Sequence, residues 1–231
     1  LSWAGRVEEV SFEVRAGEIF GIGGLVGSGR SELVGLLFGV DRPDAGEVRL
    51  GGLPLAVRGP ADAIRHRISL ITEDRKKYAM FGPRSVSENV TIVHHEMRGG
   101  PLLDLPEEGR LTARMIERLR IAVASPSQEI ESLSGGNQQK VIIARWMLED
   151  ADLYIFDEPT KGVDVGAKEE IYRLMVELAR AQKSLIMVSS DMPELLSMSD
   201  RIGIMRGGRM VRIVDNAGID EHYLIREFIG V

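Results

Sequence analysis

The chain has 231 residues, a net charge of −6, 44% hydrophobic and 28% charged residues, and no cysteine. This is a globular balance on a chain long enough to bury a core without staples, and it excludes disulfides and thiolate metal sites. The acidic charge excludes a broad Lys/Arg grip on nucleic acid, and no apolar run approaches the ~20 residues that span a bilayer.

Phe12 and Val14 alternate with polar residues, which predicts a half-buried strand. Ile19-Phe20-Gly21-Ile22 predicts a second strand, running into a glycine-rich stretch at 23–29. Residues 31–38 carry Leu33, Leu36 and Leu37 at helical spacing, with Gly39 as the stop. Pro43-Asp44-Ala45-Gly46 reads as a turn, followed by strands at 47–50 and 68–71. The segment 75–148 reads as loop and helix, with helices at 111–119 and 138–148 and a break at Ser125-Pro126-Ser127. Strand and helix then alternate at 153–156, 166–181, 184–189, 194–198 and 202–205, which implies a parallel sheet flanked by helices. The expected organisation is an α/β core from 1–74 and 149–231 with a helical insertion at 75–148. Leu1 is not an initiator Met and a strand pattern follows almost at once, so the sequence reads as a piece of a longer polypeptide.

Three motifs carry chemistry. Gly24-Leu25-Val26-Gly27-Ser28-Gly29-Arg30-Ser31 sits between a strand and a helix. Such glycines let backbone N–H groups converge on phosphate, and the helix N-terminus adds its positive dipole end. Ser31 stands where this pattern puts a Mg²⁺-binding hydroxyl, while Arg30 stands where it has Lys. Leu153-Tyr154-Ile155-Phe156-Asp157-Glu158 is a buried strand ending in two carboxylates. Asp157 is placed to hold Mg²⁺, and Glu158 to orient or polarise an attacking water. Leu133-Ser134-Gly135-Gly136-Asn137-Gln138-Gln139-Lys140 leads into a helix, which makes a second anion-binding helix start. Each motif has a plain alternative: a glycine turn, a solvated acidic loop, and a Ser134 N-cap followed by a glycine loop. Their occurrence together, in this order, favours the chemical reading.

The third motif resembles the signature loop of ATP-binding-cassette (ABC) ATPases. The resemblance extends over the whole chain. Glu73 stands at the Q-loop Gln position, Gly162-Val163-Asp164 resembles the D-loop, and Ser190 in Ser189-Ser190-Asp191 stands at the switch His position. Together with Thr72-Glu73-Asp74-Arg75-Lys76, these segments look like the second cassette of tandem ATPases in importers of ribose, galactose, xylose and arabinose; nucleoside importers look similar.

The resemblance implies a P-loop NTPase (RecA-like) α/β fold, with a parallel-sheet core, an N-terminal antiparallel β part and an inserted helical subdomain. It implies ATP and Mg²⁺ bound by Gly24, Gly27, Ser28, Gly29, Arg30, Ser31, Glu32 and Asp157, with Trp3 stacking on adenine or else packing on the first sheet. It implies Glu158 as the catalytic carboxylate. Ser134, Gly135, Gly136, Asn137 and Gln138 would face ATP held by a partner cassette, and Glu73, Asp164 and Ser190 would be the switch elements. The partners would be a first cassette on the same chain or a second copy, membrane permease subunits and, indirectly, a solute-binding protein, with no nucleic acid. The location would be peripheral, at the cytoplasmic face of the membrane.

Arg30, Glu73 and Ser190 all depart from the family pattern around the γ-phosphate, while Glu158 and the signature are kept. This implies an asymmetric pair whose own site is slow. A non-transport ABC ATPase of DNA repair or translation is a competing reading, but there is no coiled-coil tract between Gly24 and Ser134 and no basic linker. Retained Glu158 argues against a purely structural cassette and Arg30 argues for it. His94 and His95 are adjacent, so they face different ways and read as solvent-facing; His66 and His222 lack a partner cluster. Tyr78-Ala79-Met80-Phe81-Gly82-Pro83 puts an aromatic and Met cluster in a broken loop, and the resemblance places the permease-docking groove there.

Overall fold

A computed structural model describes residues 1–99 and 103–230. The chain divides into two compact units: 1–70 with 152–158 and 174–231, and 71–151 with 159–173. The segment 159–173, expected in the α/β core, groups with the helical unit instead.

The first unit is built on a six-stranded sheet in the order β4-β5-β6-β1-β7-β8. Its strands are β1 (Ile19–Gly23), β4 (Ile68–Ile71), β5 (Leu153–Asp157), β6 (Ser184–Val188), β7 (Arg201–Arg206) and β8 (Arg209–Asp215). β1 lies parallel between β6 and β7, with Phe20 opposite both Ile186 and Arg201. Every residue of β1 is buried, which explains its continuous apolar run: a parallel strand with both faces covered has no solvent side to alternate with. A Cβ on Gly23 would come 2.6 Å from Phe228 and 2.7 Å from Leu195. The bare backbone there admits α7 (Met192–Met198) and α8 (Glu221–Ile229) against the strand. β7 and β8 pair antiparallel across Gly207-Gly208, both at positive φ, a hairpin turn suited to the twist of the strands. A small antiparallel ribbon, β2 (Val48–Leu50) with β3 (Leu53–Leu55), stands apart from this sheet. α1 (Arg30–Phe38) ends at Gly39 in the left-handed conformation, as the spacing predicts.

The strand predicted at Phe12 and Val14 is absent. Burial alternates there, but because Phe12 stacks on Phe20 at 5.1 Å between centroids, without any ladder. α2 (Pro60–Arg65), α3 (Val86–Arg98), β3, β8 and α8 are elements the pattern did not reveal.

The second unit packs α3 (Val86–Arg98), α4 (Leu105–Leu119) and α5 (Gly135–Leu148) against one another. Ser85 and Glu88 form a reciprocal capping box on α3. Asp104 caps α4 and Ser134 caps α5, so both helices begin earlier than their apolar spacing predicts. The unit has a polar centre. Buried Arg145 donates to the carbonyls of Asn89 (2.6 Å) and Ala79 (2.6 Å) and to Asn89 Oδ1 (3.1 Å). Burial pushes its guanidinium down to about 10. Asn89 in turn grips the backbone of Phe81 in both directions, at 2.9 and 3.0 Å. His94 and His95 are not solvent-facing: both are half-buried, 2.9 Å from Glu149 and 3.1 Å from Glu108 respectively.

Candidate functional site

In the first unit, the end of β1 runs through residues 24–29 into α1. The first four N–H groups of a helix have no intrahelical partner, so this turn presents donors and a positive dipole end where the loop closes. Gly29 takes φ 97° as the residue before α1. The tip is open: Val26 is 93% exposed, and nothing lies within 4 Å of a Cβ built on Gly27. Buried Ser28 Oγ has no hydrogen-bond partner, which fits a loop shaped for a polyanion. Ser31 is exposed and Glu32 half-buried in the first turn of α1.

The two carboxylates sit where β5 ends. Asp157 is buried. Glu158 turns into the left-handed region at φ 50° and donates its N–H to Val188 O at 2.9 Å. For a non-glycine residue that conformation is strained and persists where surroundings enforce it. Arg30 Nη1 donates to Ser189 O at 2.5 Å, and Nη2 lies 3.6 Å from Glu158 Oε1. The side chains of Arg30 and Glu158 are 9% and 11% exposed. Ser189 is itself held by Glu194 and by the Asp191 N–H, whereas Ser190 is exposed. The fold therefore joins Arg30, Asp157 and Glu158 at one place, with Ser189 rather than Ser190 as their polar neighbour. Trp3 is half-buried in a bridge with Val7, and the Arg6 guanidinium lies 4.8 Å from its ring centroid.

In the second unit, Ser134 Oγ accepts from Asn137 N (3.4 Å) and Nδ2 (3.0 Å), and Asn137 Oδ1 accepts from Ala122 N at 2.8 Å. Gln138 is buried and donates to Leu133 O at 3.1 Å and Ile130 O at 3.3 Å, bracing the turn that delivers the glycines. Asp164 caps the next helix, α6 (Val165–Arg180), by accepting from Ala167 N at 3.0 Å. An open pocket here is lined by Arg120, Ser134, Gly136, Asn137, Lys140 and Asp164. Glu73 pairs with Lys161 at 2.5 Å. Arg75 donates to the carbonyls of Lys161 (3.0 Å) and Gly162 (3.2 Å). The sequence marks Glu73 and Asp164, and includes Arg75 in the segment 72–76, but it gives no sign of the Arg75 contact with Lys161 and Gly162. Nothing in their local sequence foretells a bond across 86 residues.

A glycine loop opening a helix, beside a strand that ends in paired carboxylates, defines the P-loop class of nucleotide-binding proteins. The ABC transporter family pattern matches residues 7–161, and the chain belongs to that family. It is 41% identical, over all 231 residues, to a ribose import ATP-binding protein of Geobacillus kaustophilus, of which it covers 47%. It is 50% identical over 203 residues, 87% of its length, to an arabinose import ATP-binding protein of Burkholderia thailandensis, covering 40% of that protein. The chain thus spans less than half of either relative. Its fold matches an ATP-binding cassette of an ABC transporter with a TM-score of 0.83 at 20% identity, covering 99% of this chain and 96% of that one. It also matches a dimeric cassette in a post-hydrolysis state bound to ADP and Pi, with a TM-score of 0.79 at 20% identity, over 93% of this chain and 92% of that one.

Proposed function

We propose that the chain is an ATPase cassette that couples ATP binding and hydrolysis to import of a small sugar through a separate membrane permease, and that its own ATP site is restrained. Nucleotide binds along 24–32, with Trp3 beside the base. Ser31 and Asp157 are the donors suited to Mg²⁺, an octahedral oxygen-loving ion. When bound, Mg²⁺ neutralises charge on the phosphate oxygens. Glu158 accepts a proton from, or orients, the attacking water. Ser134, Gly135, Gly136, Asn137 and Gln138, with Asp164, complete the site of ATP held by a partner cassette, on the same chain or a second copy. The relatives' import roles support the sugar reading.

One observation carries the restraint: the Arg30 fork spans Ser189 O and Glu158. A compact ammonium makes a point contact, whereas a guanidinium holds two acceptors in fixed geometry. Two charges ~4 Å apart attract by about 4 kcal/mol at an effective dielectric of ~20, so a nucleotide that draws Arg30 onto its phosphates must offset that pairing. Until it does, the general base is tied up. Glu73 and Ser190 remove two further positioning groups.

Among the described residues no helix is long and apolar enough to cross a membrane, so on this reading the cassette sits on the permease at its cytoplasmic face. Tyr78 is 68% exposed and Phe81 47%, on a loop whose backbone Asn89 and Arg145 hold from behind. Fixed, exposed aromatics suit a partner surface. A Met80→Asp, Phe81→Asp double variant is expected to stay folded and bind ATP, yet to co-purify with its permease at under about a tenth of the wild-type yield, as loss of a central anchor pair would give. An unfolded variant, or one recovered with permease at wild-type yield, removes this surface from the account.

A further inference from the structure

Beside the signature loop, the second unit is laced by Arg75, a residue to which no role has yet been given. Arg75 opens a single helical turn, Arg75–Ala79. Its two terminal nitrogens clasp the carbonyls of Lys161 and Gly162, and its Nε is buried without a partner. The signature loop leaves room for this clasp. A Cβ on Gly135 would come 2.8 Å from Arg75 Nη2 and 2.9 Å from Gly162 O. One residue on, a Cβ on Gly136 would collide with Ala167 and come 3.1 Å from Asp164 Oδ2. One guanidinium therefore fastens the 161–164 loop against the start of the signature loop. The Glu73–Lys161 ion pair beside it has side chains 39% and 62% exposed, and exposed pairs of this kind contribute little. The Arg75 bonds are also exposed, but they join one planar fork to two backbone carbonyls, so they fix the course of the loop itself, which a side-chain ion pair does not.

We propose that Arg75 is a positioning residue. It holds residues 161–164 and 134–136 as one rigid surface, so that the cassette presents a preformed face to the partner's nucleotide. This rests on the reading that the signature loop serves a partner's ATP. Arg75 is none of the residues read as holding nucleotide; it acts by keeping the loop from sampling other positions when the cassettes meet.

The test uses the 231-residue chain, alone and mixed with the partner cassette, as wild type, Arg75→Ala and Lys161→Gln. Three quantities are measured: calorimetric Mg-ATP affinity, Mg-ATP-driven pairing by light scattering, and amide hydrogen exchange. For Arg75→Ala, affinity stays within about twofold, while exchange at 161–164 quickens and pairing weakens by about tenfold or more, as loss of a locally ordering contact requires. Lys161→Gln stays within about threefold of wild type in all three, because it cuts the exposed pair and leaves the Lys161 carbonyl to Arg75. A merely structural role would lower affinity and pairing together. Wild-type exchange at 161–164 in Arg75→Ala overturns the inference, as does faster exchange with unchanged pairing. A wild-type cassette that pairs neither with itself nor with the partner cassette in saturating Mg-ATP refutes the underlying reading of the signature loop and takes the inference with it; that outcome is visible before any variant is measured.

Discussion

Gly29→Val is expected to lower Mg-ATP affinity about 100-fold or more, the scale that a misplacement of about 1 Å costs in a preorganised site. Gly29 sits at φ 97°, where a β-branched side chain is strained. A Cβ there would also come 2.8 Å from Arg6 O and 3.1 Å from Gly208 Cα. Both obstacles are backbone, so the loop rather than the neighbours must move, and its N–H groups leave the positions that suit phosphate. Calorimetry on a variant with unchanged far-ultraviolet dichroism reads the effect. Wild-type affinity would show that phosphate does not bind along this loop.

Ser134→Arg is expected to cut ATP-driven uptake by the assembled transporter about 100-fold, because a bulky side chain at the start of α5 obstructs a partner's phosphates and removes a serine donor. The substitution also removes the α5 cap, which costs about 1 kcal/mol, so a second variant separates the two effects. Asp caps a helix as well as Ser does, but its charge repels phosphate. Ser134→Asp should therefore keep wild-type melting behaviour and still lose uptake. Wild-type uptake by either variant would mean that this loop faces no nucleotide.

The elements most legible in the sequence were those whose composition alone forces them. β1, β4 and β5 are short apolar runs because both faces of a parallel strand are covered. Gly39 stops α1 because the left-handed cap requires it. Tertiary contacts decided the rest. α3 escaped notice because its buried face includes Asn89 and Thr91, polar residues satisfied by carbonyls nearby. β8 is a mostly exposed strand and lacks the apolar run that marked its neighbours. The Phe12–Val14 alternation is real but comes from one aromatic stack, and alternation cannot distinguish that from a ladder. At the site, the replacement of Lys by Arg30 was plain from the motif. Its consequence was not, since Ser189 lies 159 residues away and the ion pair with Glu158 is likewise made only by the fold.

On the proposed reading this cassette binds Mg-ATP but is slow to hydrolyse it, because Arg30 restrains Glu158 while Glu73 and Ser190 leave the γ-phosphate poorly positioned. Steady-state ATP turnover by the purified chain at saturating Mg-ATP, with calorimetric binding on the same sample, tests it most directly. Saturable binding with turnover well below ~1 per second is the expected result. A rate of ~1–100 per second, the range of competent phosphoryl-transfer enzymes such as kinases, would contradict it.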